Sequence, residues 1–281
     1  MDRTQVSKSV NEHYGLNDLG TAFIEALRAE GKDPDNLAYQ DIAIADHFHS
    51  RGKEATLELA RMADLKPGRL VLDVGGGIGG PARLLAAEFG CVVTVLDLTE
   101  EYCRVGEMLT ARTGLSDKVT FKVGNALDMP YPDGSFDVIW TQHSSMNIAD
   151  KERLYSEAHR VLRPGGRLAI LEIMAGPEQP IHVPVPWADT QEISFLRPEA
   201  EMRALITAAG FKEAAWIDVT QITREWLQQR AAAAAAAGPS GPPPLGTHIL
   251  LKDKSGTPNK NVLDNATEGR IVFIEAVFDR L

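Results

Sequence analysis

The 281-residue chain contains only two cysteines, Cys91 and Cys103. That excludes a small disulfide-stapled scaffold and leaves two reduced thiols in a reducing compartment as the expected state. No dense run of Lys or Arg occurs and the formal net charge is −10, so neither a nucleic acid nor an anionic membrane surface is the expected partner, because both attract basic patches. No stretch reaches the ~18 consecutive apolar residues of a membrane span. The N-terminus is polar and mixed in charge, without the apolar core of a secretory signal. Together these absences lead to the expectation of a cytoplasmic protein with no membrane partner. Internal repeats are also lacking. What remains, 44% hydrophobic and 24% charged residues, is the composition of an ordinary globular protein. The length suffices for one large α/β domain or a core with a small appendage.

Residues 1–50 read as a helical N-terminal cap without strands. Asp18 or Thr21 is placed to cap a helix whose Phe23, Ile24 and Leu27 share a face, with Gly31 and Pro34 ending it. His13, Tyr14 and the segment 46–51, Asp-His-Phe-His-Ser-Arg, gather aromatic and ionisable groups just before the core. Either these groups fold over a ligand, or Tyr14 and Phe48 pack the cap while the histidines stay solvated. From residue 51 onward a core is expected. A helix spans Lys53 to Leu65, and then strands alternate with helices. The strands read as Arg69–Val74, Val92–Leu96, Val119–Val123, Phe136–Trp140 and Arg167–Ile173, and the intervening helices as Pro81–Glu88, Glu100–Thr113 and Lys151–Val161. Continuous apolar strands between amphipathic helices mean a parallel sheet covered on both faces, with ligands at the strands' carboxyl ends.

Beyond a further helix over Pro198–Ala209 and a strand over Phe211–Val219 comes an insertion at about 220–269. Its run of seven alanines and its Gly-Pro-rich sequel read as an exposed helix tail feeding a stiff loop rather than a binding element. The β-branched and aromatic run Arg270–Phe278 reads as a closing strand.

The sharpest feature is Leu70–Pro81, Leu-Val-Leu-Asp-Val-Gly-Gly-Gly-Ile-Gly-Gly-Pro. It reads as a strand, a tight glycine turn and a helix start whose free N–H groups face whatever lies over the turn. Gly75, Gly77 and Gly80 fit the dinucleotide pattern G-x-G-x-x-G, with Asp97 near the offset of an acidic ribose ligand, which suits NAD. Asp73, Gly75, Gly77 and Gly79 equally fit D-x-G-x-G-x-G. A carboxylate at that strand tip repels a pyrophosphate and attracts an ammonium or sulfonium group.

Taken with the strand-end Asp97, the segments Gly124–Pro130, Phe136–Trp140 and Val161–Gly166, in that order along the chain, resemble the class I S-adenosylmethionine-dependent methyltransferases. The resemblance is to the small-molecule branch with ubiquinone/menaquinone-type and sarcosine/dimethylglycine-type enzymes. It implies an α/β, Rossmann-like seven-stranded, mostly parallel sheet with the last strand antiparallel, and methyl transfer from S-adenosylmethionine to a small-molecule acceptor. It further implies that Asp73 with Gly75, Gly77 and Gly79 holds the methionine part, that Asp97 accepts the ribose hydroxyls and that Leu98 covers the adenine. Asn125, where the family often has Asp, and the Ala126 N–H would meet the adenine edge, and Gln142 the methionine end.

Methyl transfer from a sulfonium is an in-line displacement that positioning largely accelerates, with a base needed when the acceptor arrives protonated. His143, just past the Phe136–Trp140 strand, is the preferred base because imidazole titrates near neutrality. Glu172 is the second catalytic candidate. It matches the acid of a His–acid pair in sugar-modifying relatives, whose histidine position is held here by Asn147. Tyr14, Phe48, Arg51 and Trp187 are the candidates for acceptor contact. No metal is expected, since His47 and His49 lack an evident third ligand. The competing functions are an NAD-dependent oxidoreductase and a non-catalytic S-adenosylmethionine-binding protein.

Overall fold

The computed structural model describes residues 18–237, 245–250 and 256–281. Three helices precede the sheet: α1 (Leu19–Ala29), α2 (Tyr39–Asp46) and α3 (Gly52–Met62). The alternating part comprises β1 (Leu70–Val74), α4 (Gly80–Phe89), β2 (Val92–Asp97), α5 (Glu100–Arg112) and β3 (Val119–Val123). It continues with β4 (Phe136–Gln142), α6 (Lys151–Val161), β5 (Leu162–Ala175), α7 (Glu199–Ala208) and β6 (Phe211–Asp218). Helices α8 (Thr220–Ala237) and α9 (Gly256–Thr267) then lead to β7 (Ile271–Arg280).

All seven strands form one sheet in the order β3-β2-β1-β4-β5-β7-β6. β1 to β5 pair in parallel, and β7 runs antiparallel to both β5 and β6. This is the Rossmann-like sheet the motifs implied. Most boundaries shift by one to three residues. The largest change is at β5, expected from Arg167, which begins at Leu162 and takes in Arg163-Pro164-Gly165-Gly166, and the ladder with β4 absorbs that segment by slipping between Phe136 and Val138.

The period-two pattern of the strands supplies both covers of the sheet. Val71, Val93, Val138, Trp140, Ala169 and Phe273 face one way and pack with Leu59 of α3, Leu84 of α4 and Val262 of α9. Leu72, Ile139, Leu168, Ile170 and Ile274 face the other way, against Leu154 of α6 and Ile206 of α7. Leu19, Phe23 and Leu27 of α1 pack with Val105 and Leu109 of α5. The strand order reverses between β1 and β4, so their carboxyl ends diverge and leave a crevice, the place where open α/β sheets bind ligands.

The expectation for the alanine-rich segment needs correction. Ala231 to Ala236 are exposed, yet α8 lies across the mouth of that crevice, and Trp226, Leu227, Arg230, Ala231 and Ala234 all line it. Their spacing is one helical face, and only packing against the rest of the chain reveals where that face points. The stiff loop expected over 238–244 lies outside the described residues.

Candidate active site

The site starts where β1 ends. Gly75, Gly77 and Gly79 take left-handed φ values of 71°, 57° and 81°, a region costly for residues with a Cβ. The turn is also tightly enclosed. A Cβ on Gly75 would lie 2.5 Å from Ser144 Cβ, one on Gly76 2.5 Å from Asp73 Oδ2, and one on Gly80 2.2 Å from the Asp46 carbonyl oxygen.

Asp73 is buried, and its Oδ2 has no hydrogen-bond partner. Burial, reinforced by the neighbouring Asp97 carboxylate, pushes its pKa up to about 8. A buried acceptor without a donor is unfavourable by about 1–3 kcal/mol, so the position fits a ligand that brings a donor or a cation. Asp97 is held differently. Its Oδ2 accepts from the Gly77 N–H (2.9 Å) and its Oδ1 from the Thr99 N–H (2.8 Å). Burial raises its pKa while those N–H groups oppose the rise. A carboxylate offers two acceptor oxygens, the pattern that two ribose hydroxyls call for.

A cavity of about 880 Å³ opens over these groups and is lined also by Leu98, Asn125, Ala126, Gln142 and His143. Asn125 is exposed, and its side-chain oxygen accepts from the Leu127 N–H (2.9 Å). It therefore braces its own turn with the oxygen assigned to the adenine amino group. At the end of β4, Gln142 Oε1 accepts from Trp140 Nε1 (2.9 Å), a group that can only donate. The amide orientation follows, and Gln142 Nε2 is left buried without a partner. His143 adopts a φ of 51°, and its Nε2 is likewise buried and unpartnered. Burial, aided by His49, holds its pKa well below the usual imidazole range, so the ring is neutral at pH 7 and keeps a lone pair.

Two expected site residues are committed elsewhere. Glu172 has no exposure and does not line the cavity. Its oxygens accept from the Thr141 hydroxyl and the Ser145 N–H, so it anchors the turn that follows β4. A carboxylate on the fourth residue from the end of a long strand is turned inward by the pleat, which the sequence alone does not disclose. Arg51 borders the cavity, but its guanidinium pairs with Glu275 of β7 (3.0 Å) and with Glu58, pinning the N-terminal segment to the sheet. Phe48 and Trp187 line the cavity. The Trp187 indole N–H donates to Ser194 Oγ (3.0 Å), and its carbonyl accepts from Asn147 Nδ2 (2.7 Å). Tyr14 lies outside the described residues.

The structure adds groups that the sequence reading missed. His47 and His49 are buried, not solvated, with their ring centroids 5.5 Å apart, and the His49 ring stands edge-on to His143 at 6.1 Å. Burial depresses the pKa of both to about 3. His49 Nδ1 lies 3.1 Å from the Ser50 carbonyl, so it carries the proton and Nε2 holds the lone pair. Thr56 of α3 joins the cluster, with Oγ1 3.1 Å from His49 Nε2 and 3.2 Å from Gln142 Oε1. A signal for Thr56 existed, since Thr56, Leu59 and Ala63 repeat at the spacing of α3's apolar face. Arg83 of α4 is fully buried and donates to Asp46 Oδ2 (2.9 Å), Thr110 Oγ1 (2.8 Å) and the Ile78 carbonyl (2.8 Å). No cluster of three or more His, Cys, Asp or Glu able to hold a metal occurs among the described residues.

Because Thr56 helps fix the Gln142 amide, Thr56→Val is expected to weaken binding of a ligand that uses Gln142 Nε2 by about 0.5–1.5 kcal/mol, the worth of one hydrogen bond. Thr56→Ser should restore it. Calorimetric titration of the three chains with S-adenosylhomocysteine is the check, and equal affinities for Val and wild type would refute the link.

Comparison with known proteins bears on the whole of this geometry. A methyltransferase domain family matches residues 72–170. The sarcosine/dimethylglycine N-methyltransferase of Halorhodospira halochloris is 33% identical over 229 residues, 80% of each chain. Methyltransferase GfsG of Streptomyces halstedii is 37% identical over 169 residues, 60% of this chain and 59% of that one. Against GfsG and two other curated methyltransferases the chain spans only 30–59% of the relative's length. Among solved structures, geranyl diphosphate C-methyltransferase from Streptomyces coelicolor A3(2) superposes over 100% of both chains with a TM-score of 0.71 at 18% identity, a likeness of fold.

Proposed function

The chain belongs to the S-adenosylmethionine-dependent methyltransferases, and we propose that it transfers a methyl group from S-adenosylmethionine to a small-molecule acceptor bound between His143, the N-terminal segment and α8. The observation that carries this reading is Asp73: a buried, partnerless carboxylate oxygen beside the glycine turn at the switch point of the sheet. Once it gives up its proton it suits an ammonium and opposes a pyrophosphate, which separates this turn from the overlapping NAD fingerprint.

In this reading Asp73 accepts the cofactor's amino group and Asp97 its ribose hydroxyls, while Leu98 and Ala126 flank the adenine. The Asn125 oxygen is already occupied by its turn, so adenine is held chiefly by shape and by backbone. Gln142 Nε2 donates toward the methionine carboxylate. When bound, S-adenosylmethionine supplies an electrophilic methyl carbon on sulfur. His143, neutral and just past the end of β4, would be the group that takes up the acceptor's proton as the methyl is received. Glu172, Thr141 and Lys151 hold the 143–148 turn in place: Lys151 Nζ donates to the carbonyls of Ser145 (2.6 Å) and Ile148 (3.1 Å). A cytoplasmic location is part of the proposal, supported by two buried free thiols. Among the described residues, no helix is long and apolar enough to cross a membrane.

Calorimetric titration with S-adenosylmethionine, S-adenosylhomocysteine and NAD tests the reading. Saturable binding of the first two, with no heat from NAD, is expected. NAD binding that the other two fail to displace would overturn it.

A further inference from the structure

The cavity continues past the cofactor groups into a chamber whose walls come from elements far apart in sequence. Phe48, Trp187, Trp226, Leu227 and Val262 line it. At about 880 Å³ in all, the space is near the upper end for sites that hold drug-sized ligands, roughly 300–1,000 Å³.

Charge is arranged against an anionic acceptor. Among the described residues bordering the cavity, the buried cation is Arg51, and it is already paired with Glu275 and Glu58. Arg83, just behind Asp46, is likewise tied to that carboxylate. The remaining bordering cations sit at the exposed rim: Lys53, Arg230, whose guanidinium lies over the Trp226 ring at 4.9 Å, and Lys260, which pairs with Asp264. Among the described residues, an acceptor carboxylate near the histidines would lose its hydration without gaining an unpaired buried cation, which is strongly unfavourable. A hydroxyl, by contrast, both donates and accepts, so it can pair with the buried, unpartnered His143 Nε2 in either tautomer of the ring.

We infer that the acceptor is an uncharged, largely apolar molecule of ring-system size that presents a hydroxyl to the histidine cluster, its body held by Trp187 and by Trp226 and Leu227 of α8. The inference rests on the methyl-transfer reading and deepens it. It also separates this chain from the amino-acid acceptors named for its Halorhodospira halochloris relative. A hydroxyl in that position makes the reaction an O-methylation: the oxygen–carbon bond forms, the carbon–sulfur bond breaks with its electron pair left on sulfur, and the hydroxyl proton passes to the ring nitrogen that holds the lone pair.

The full chain saturated with S-adenosylhomocysteine, titrated with 1-naphthol and with N,N-dimethylglycine, provides the test. 1-Naphthol is expected to bind and to quench indole fluorescence, and Trp226→Ala to weaken it about tenfold or more, as loss of a buried aromatic anchor does. Trp226→Phe should stay within a few-fold of wild type, and S-adenosylhomocysteine titration of each variant reports that the fold is intact. Binding of N,N-dimethylglycine, absence of 1-naphthol binding, or indifference of 1-naphthol to Trp226→Ala would each overturn the inference. Failure of S-adenosylhomocysteine to bind the wild type would instead overturn the methyl-transfer reading itself.

Discussion

Asp73→Asn is expected to weaken S-adenosylmethionine binding by about 2–5 kcal/mol, thirty-fold or more, because it removes the charged partner of a desolvated ammonium. The amide keeps the shape and occupies the same space over Gly76, so the fold should survive. A pH dependence distinguishes loss of charge from loss of shape. In the free protein burial and Asp97 raise the Asp73 pKa to about 8, so at pH 6 the group is protonated and must release its proton to pair with an ammonium. Wild-type affinity should therefore climb as pH rises from about 6 to 8, by up to tenfold per unit, and the climb should vanish in Asp73→Asn. The stability of the free protein moves the other way. A carboxyl whose folded pKa lies above its unfolded value holds a proton that the unfolded chain gives up, so its contribution is full below about pH 4 and is lost as pH approaches 8. Calorimetry with the cofactor from pH 6 to 8 is the measurement; a slope retained by Asp73→Asn would assign the proton to another group.

Arg83→Met should destabilise the fold by about 3–5 kcal/mol at neutral pH, since it strands the Asp46 carboxylate in a fully buried position. That pair joins the end of α2 to the helix that follows the glycine turn, and Thr110 and the Ile78 carbonyl complete the guanidinium's partners. Burial already lifts the Asp46 pKa to about 6 against the pull of Arg83. Without Arg83 it rises further, so the folded state takes up a proton and the loss is smaller in acid than at pH 7.5. Denaturant unfolding at pH 5.5 and 7.5 measures both effects. Adding Asp46→Asn to Arg83→Met should recover much of the loss, because removal of both charges is tolerated far better than removal of one. No change on Arg83→Met would show that the pair contributes nothing to stability.

How far the sequence carried can be judged residue by residue. Asp73, Asp97 and the glycines were legible because they sit at strand ends and in a turn, where local backbone rules apply. Arg51 and Glu172 were read for their chemistry alone. Their partners Glu58 and Glu275, and Thr141 and Ser145, come from neighbouring elements whose register no local pattern specifies. The cap histidines show the opposite error. Their burial depends on α3 and the end of β4 closing around them, and a motif search for metal spacing does not see a neutral hydrogen-bonded cluster. The alanine run misled because composition reports helix propensity, while function depends on which way the helix face points.

The sequence by itself determined the parallel α/β sheet, the glycine turn and the strand-tip carboxylates, because each follows from periodicities and backbone constraints spanning a few residues, while the cofactor came from the resemblance of the ordered motifs to a known family. Only the tertiary structure decided which charges are free to meet a ligand. Pairing of Arg51 with Glu275 and of Arg83 with Asp46 joins groups 224 and 37 residues apart, and α8 reaches the crevice from late in the chain; such contacts are selected by burial and charge compensation across the whole chain rather than by any local signal.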